Sequence, residues 1–213
     1  DEWARTGRGT FLAQSHYVNI DDEGRPLSMN DGFSFRTDAF ASLESLAETN
    51  MFVLGSSSAY TTDLIRRFPP FVRGLVHEDR ATPFRARLLN APVVTIEEPL
   101  VQYRRSGVTS GYEQRLTQAQ ALTFFRRVVA DYEQKILDAS SLGRRDLLPL
   151  LRRKLVDYQL AAASADPQVS SASLVHQWLA GRPSVGFALR QVAKFRIAAP
   201  ASAWLQRRRG TDR

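Results

Sequence analysis

Three short polar blocks in the first half of the chain hold the side chains best suited to chemistry. Gly55-Ser56-Ser57-Ser58-Ala59-Tyr60 is a loop of small residues, and His77-Glu78-Asp79 sets two carboxylates side by side. Glu98-Pro99-Leu100-Val101-Gln102-Tyr103-Arg104-Arg105 then runs into a second small-residue stretch, Ser106-Gly107-Val108-Thr109-Ser110-Gly111. A carboxylate can take the proton of a hydroxyl as a new bond forms. Taken alone, Glu78-Asp79 reads first as a helix start, because the helix dipole favours negative charge there by about 0.3–1 kcal/mol each. Other chemistries lack their starting residues. The chain has no GxxxxGK[ST] phosphate loop, no GxGxxG turn, no GxSxG elbow and no HExxH. Cysteine is absent, which removes disulfides and thiolate metal sites. His16, His77 and His176 are scattered, the pattern of structural or exposed histidines.

The elements that must position these blocks read as mixed α/β. His16–Ile20 has a strand pattern, followed by the turn-like Asp21-Asp22-Glu23-Gly24-Arg25-Pro26. Residues 38–49 place Phe40, Leu43 and Leu46 at helical spacing with Asp38 as N-cap. Met51-Phe52-Val53-Leu54 reads as a buried strand entering the Gly55 loop, and Thr62–Phe68 as a helix stopped by Pro69-Pro70. Residues 79–89 suit a helix with Phe84, Leu88 and Leu89 inward. Pro92–Ile96 and Leu100–Tyr103 read as two further strands.

From Tyr112 the pattern becomes helical. Residues 113–138 put Leu116, Ala119, Leu122, Phe125, Val129, Tyr132 and Ile136 on one face. Further helices are expected over about residues 144–163, ended by Asp166-Pro167, and 170–180, ended by Gly181-Arg182-Pro183. The last stretch, 184–209, mixes Val185, Phe187, Leu189, Val192, Phe195 and Ile197 with Arg190, Lys194 and Arg196.

A chain of 213 residues with 43% hydrophobic and 24% charged side chains can bury a core. Its first residues show neither a basic n-region nor an apolar h-region, so no signal peptide is read there, and no apolar run is of bilayer-spanning length. The net charge of +7 is uneven. Residues 1–111 hold 12 Arg against 14 Asp and Glu, whereas residues 112–213 hold 17 Lys and Arg against 8. An anionic partner for the second half and a solvated, arginine-rich helix surface explain this equally well.

In order and spacing, FVLGSSSAYTTDLIRRFPPF, HEDRATPFRARLLN and VVTIEEPLVQYRRSGVTSG resemble the family 2 glycosyltransferases of the GT-A fold, over roughly residues 15–111. That family shows a strand entering a G-s/c-s-x-a-y loop and a helix of the form E-D-x-x-x-x-x-R-x-x-x-x-G. A strand follows, leading to e-P-L-v-x-Y-R-x-H-x-x-S-x-S. The resemblance implies inverting transfer of a sugar from a nucleotide-sugar donor to an acceptor hydroxyl. Asp79 matches the base, and Glu78 its tuning or orienting neighbour. Gly55, Ser56 and Ser57 match the loop lining donor sugar and acceptor. Tyr103 and Arg104 match the stretch near the diphosphate, where an arginine would offset leaving-group charge; packing at a strand end is an equal reading of Tyr103. The family's histidine falls at Ser106.

Family members open with a nucleotide-binding half ending in a D-x-D motif that holds Mg2+ or Mn2+. Its strands are not evident here; Asp1-Glu2-Trp3 matches the tail of a D-x-D-D-E-W segment, which makes Asp1 the metal ligand that the resemblance implies. The expected fold is therefore α/β: a partial GT-A-like mixed sheet over residues 1–111, its nucleotide-binding half largely missing, then a basic α-helical region over 112–213. The chain alone is not expected to bind a nucleotide sugar. Expected partners are that donor and a saccharide or lipid-linked acceptor, as in bacterial cell-envelope polysaccharide synthesis. A cytoplasmic site at the inner face of an anionic membrane and self-association are compatible with this, and nucleic acid is disfavoured. Two other readings stay open: a non-catalytic basic helical module for a polyanion, and a degenerate transferase acting as a scaffold. For the tail, amphipathic membrane contact competes with packing of Phe187, Val192 and Phe195 on the preceding helices. Gly186 and Pro200 favour packing.

Overall fold

The structure, a computed structural model, describes residues 9–27, 42–50, 52–104, 117–181 and 183–198. It is mixed α/β, a three-stranded mixed sheet with seven helices among the described residues. The sheet comprises β1 (Leu12–Ile20), β2 (Ser58–Tyr60) and β3 (Val93–Arg104) in the order β2-β1-β3. The helices are α1 (Leu43–Glu48), α2 (Asp63–Arg66), α3 (Glu78–Leu88), α4 (Gln118–Ser141), α5 (Leu148–Ala165), α6 (Ser171–Gly181) and α7 (Val185–Val192). A π-helical turn, Ala193–Ala198, continues α7.

The strand expected over His16–Ile20 begins four residues earlier, at Leu12, which is wholly buried. It runs antiparallel to β2 and parallel to β3. The two strands expected over Pro92–Ile96 and Leu100–Tyr103 are one. Register shifts beside His16 let Glu97, Glu98 and Leu100 bulge from β3 while the ladder continues to Ile20↔Arg104. The strand expected over Met51–Leu54 does not form over its described part, Phe52–Leu54; Met51 lies outside the described residues. Asp38 also lies outside them. Helix α1 begins instead at Ser42, whose hydroxyl accepts from Ser45 N–H at 3.0 Å.

Helix α3 stops where its sequence provides a substitute for glycine. Asn90 adopts a left-handed φ of 54°, and Ala91 N–H closes back onto the Ala86 carbonyl at 2.8 Å. The residue corresponds to the glycine that ends the E-D-x-x-x-x-x-R-x-x-x-x-G pattern, and asparagine is the side chain that best tolerates this conformation. Helix α4 starts at a capping box, Thr117 accepting from Gln120 N–H while the Gln120 side chain accepts from Thr117 N–H.

One apolar core joins the two halves of the chain. Leu12, Leu46, Val53, Leu64 and Phe84 pack with Val128, Tyr132, Leu147 and Leu151. A smaller cluster gathers Phe125, Ala161, Ala165 and Phe195, with Phe187 packed against it. Phe187 and Phe195 therefore face inward, and Phe125 and Phe195 meet edge to face at 5.9 Å. Arg196 donates to the carbonyls of Ala163, Asp166 and Val169, closing the carboxyl end of α5, where cationic groups are favoured. Helices α5 and α6 approach closely at Gly181, where an added Cβ would sit 2.6 Å from Val156 Cγ1. Gly181→Ala is expected to lower the melting temperature, because overpacking of about 1–3 kcal/mol outweighs the smaller helix-propensity gain. A thermal melt of the variant checks this. No helix among the described residues is long and apolar enough to cross a membrane.

Candidate functional site

The site begins with a proline. Pro83 sits inside α3 and has no N–H to bond the carbonyl four residues back, that of Asp79. The carbonyl left free accepts from Val53 N–H at 3.1 Å. This bond fixes Phe52–Leu54 along the start of α3 and delivers the Gly55 loop to the two carboxylates. A Cβ on Gly55 would lie 3.2 Å from Glu78 Oε1 and 3.8 Å from Asp79 Cβ. Glycine is what permits this approach of backbone to carboxylate. Residues 55–57 form a single 3-10 turn, and Ser57 N–H bonds back to Leu54 at 2.9 Å.

Asp79 is half-buried, Glu78 is exposed, and both occupy the first turn of α3. No side chain caps that helix. The buried Oδ1 of Asp79 has no hydrogen-bond partner, so this oxygen does not cap a backbone N–H of the helix. Burial pushes its carboxyl up to about 6, and the adjacent Glu78 charge adds to the effect. The folded state therefore holds a proton that the unfolded chain releases near the ordinary value of 3.8. The side chain destabilises the fold increasingly as pH rises from about 4 to about 6, and fully above that. Asp79→Asn is expected to be more stable than wild type by about 1–2 kcal/mol at neutral pH, the gain vanishing as pH falls towards about 4. Urea denaturation at the two pH values measures it.

Beside this pair, a cleft of about 220 Å³ is lined by Gln14 and Ser15 of β1, Ser56–Ala59, and Leu100 and Val101 of β3. Ser56 and Ser57 thus line a mostly apolar concave surface, with Gln14 buried beneath it. Its amide donates to Thr95 at 3.1 Å, while its buried Oε1 accepts no hydrogen bond. Tyr103 lies two residues beyond Val101 on the same face of β3, about 7 Å along the strand. Its ring packs against Tyr17 at 5.6 Å. Arg104, at the end of β3, is exposed and donates to the carbonyls of Asp21 and Asp22. The fold therefore brings Gly55, Glu78 and Asp79 together and sets Ser56 and Ser57 on the adjoining cleft. Tyr103 and Arg104 stand further along the sheet. Asp1 lies outside the described residues.

The expected apolar face of α4 needs correction. Phe125 and Tyr132 are buried, but Ala119 is exposed, Val129 and Ile136 are only partly covered, and Leu116 lies outside the described residues. The buried stripe instead contains Asp131, Gln134, Lys135 and Asp138, each at most 2% exposed. These residues, missed by a hydrophobic pattern, hold the site's frame. Asp131 accepts from Arg80 at 2.7 Å and lies 3.2 Å from His77 Nδ1, bracketing the carboxylate pair on both sides. Asp138 takes two hydrogen bonds from Arg85, at 2.7 and 3.0 Å, and Arg85 also holds the carbonyls of Leu64 and Pro69. Lys135 donates to Leu46, Thr49 and Asn50, closing the carboxyl end of α1, although burial pulls its amine down to about 7. Arg85 is the arginine of the E-D-x-x-x-x-x-R pattern, the one sequence signal that could have flagged it. Asp131, Lys135 and Asp138 had none.

Among the described residues, no group of three His, Asp or Glu side chains could hold a metal ion. Asp1, the residue that the resemblance offers to Mg2+ or Mn2+, lies outside them, and no step below passes through a metal. No family model, curated protein or solved structure matches the chain.

Proposed function

We propose that this chain is the acceptor-side part of an inverting glycosyltransferase that uses a nucleotide-sugar donor, with Asp79 as general base. The observation that carries the reading is a half-buried carboxylate with one unpartnered oxygen, held against a glycine-serine loop whose serines line a cleft. A sugar hydroxyl is a weak nucleophile until its proton is removed. An aspartate titrating near 6 is a stronger base than an ordinary carboxylate and remains mostly ionised at neutral pH. The acceptor O–H proton passes to Asp79 as the oxygen bonds to the anomeric carbon. The bond from that carbon to the diphosphate breaks, and its electron pair leaves with the diphosphate. Attack from the opposite face inverts the centre.

Glu78 supports the base by its charge, which raises the Asp79 carboxyl. Ser56 and Ser57 supply small polar contacts at the cleft. Arg104 uses one guanidinium nitrogen on the carbonyls of Asp21 and Asp22, which leaves its other N–H donors for a diphosphate. The GT-A identity of the sheet, a cell-envelope acceptor and an inner-membrane location belong to the same proposal. The test is a transfer and donor-hydrolysis assay of the full-length protein, wild type beside Asp79→Asn. Equal turnover by the two proteins removes the reading.

A further inference from the structure

Away from the carboxylate pair, a groove of about 370 Å³ lies on the outer face of α4. It is walled by Arg73 and Gly74 on one side and by Thr123, Arg126, Arg127, Ala130 and Glu133 on the other. Three guanidinium groups face one carboxylate there. Arg126 is tied to Asp166 at 3.1 Å and remains largely exposed. Arg73 and Arg127 are exposed and make no ion pair or hydrogen bond among the described residues. Like charges on one wall repel, and an anion set between them offsets that repulsion.

The groove is built rather than incidental. Leu75 N–H bonds to the Val72 carbonyl at 3.1 Å, and Gly74 has a φ of 92°, the backbone of a tight turn that presents Arg73. That turn is pinned to α4 from inside, where buried Gln134 accepts from Val72 N–H at 2.7 Å. Arg85 holds it from below, bonding Pro69 and stacking on Phe71 with its guanidinium 4.3 Å from the ring centre. Both walls are thus fixed by the buried polar network that frames Asp79. Gly74 and Asp79 are five positions apart, so even a fully extended chain keeps their Cα atoms within about 18 Å.

We propose that this groove binds a phosphate or diphosphate group. Planar guanidinium forks from two elements match the oxygens of such an anion, and bidentate pairing gives them geometry as well as charge. Glu133 lines the same groove, where the arginines outnumber it. Resting on the transferase reading, the anion belongs to the acceptor: a saccharide carrying a phosphate, held while its hydroxyl reaches Asp79. A lipid headgroup and a soluble phosphorylated sugar share this chemistry.

The experiment titrates the full 213-residue chain with inorganic pyrophosphate, and separately sediments it with phosphatidylglycerol or phosphatidylcholine vesicles. The wild type is compared with Arg73→Gln/Arg127→Gln and with Asp79→Asn. Because both arginines are exposed, the double variant is expected to melt as the wild type does. It is expected to bind the anion about ten-fold more weakly, two lost charge-assisted contacts, with Asp79→Asn unchanged. Retention on phosphatidylglycerol alone assigns the anion to a lipid, and binding of pyrophosphate alone to a soluble ligand. Failure of the wild type to bind either probe, or equal binding by the double variant, overturns the site. In the full-length protein, an unchanged acceptor KM in the double variant overturns only the acceptor assignment, whereas unchanged turnover in Asp79→Asn overturns only the transferase reading.

Discussion

Asp79→Asn is expected to lower transfer turnover at least ~10²-fold in the full-length protein while leaving donor affinity nearly intact. The amide keeps the size of the carboxyl group, so Gly55 and Val53 retain their packing and backbone bond, neither of which involves the Asp79 carboxyl oxygens. What disappears is the capacity to accept a proton. The loss should therefore fall on kcat. Glu78→Gln separates the neighbour's role from the base's. Without the Glu78 charge the Asp79 carboxyl titrates lower, so the acidic limb of the rate profile moves to lower pH and the maximal rate falls by a smaller factor. The same Asp79→Asn substitution raises stability at neutral pH, as derived above. A variant that is both more stable and inactive distinguishes a functional carboxylate from a structural one, since a structural aspartate loses stability on replacement. Loss of turnover accompanied by loss of stability would count against the assignment.

The second large effect is on folding. Arg85→Met is expected to destabilise the protein by about 3–5 kcal/mol, because it leaves Asp138 as an uncompensated buried charge. Both side chains are wholly buried. The guanidinium also serves the carbonyls of Leu64 and Pro69 and stacks on Phe68 and Phe71. Methionine fills much of the volume and supplies none of these donors. With total stability of about 5–15 kcal/mol for an ordinary domain, such a loss populates the unfolded state visibly. Arg85→Met/Asp138→Leu removes both charges and is expected to recover much of the loss, since a buried pair adds little net stability over an apolar replacement. Urea denaturation of the two single variants and the double variant measures the coupling. A single variant within about 1 kcal/mol of wild type would mean that water reaches the pair, contrary to its burial.

How much was legible in the sequence depended on how local the governing interaction is. The stop of α2 near Pro69-Pro70, the turn at Asp21–Pro26 and the ends of α5 and α6 follow from residues a few positions apart, and periodicity or turn chemistry reveals them. The adjacency of Glu78 and Asp79 at a helix start was likewise readable. The Pro83 residue that frees the Asp79 carbonyl stands in the same helix, so half of that contact is written locally. Its other half, Val53, is brought up only by the tertiary fold, which turned an expected strand into an extended segment bonded to α3.

The face of α4 shows the opposite limit. Asp131, Lys135 and Asp138 belong by type on a solvated surface, and hydrophobic spacing alone directed α4 towards Val129 and Ile136. Each found partners some fifty to ninety residues away, in Arg80, Arg85 and the end of α1. Burying a charge is costly until its counter-charge and hydrogen bonds are in place. No pattern along a single segment can therefore announce such a residue. The sequence by itself determined which elements form and which side chains could act as base or acceptor. The tertiary structure decided which of them meet, because the energy of a buried charge depends on distant partners that only the folded chain assembles.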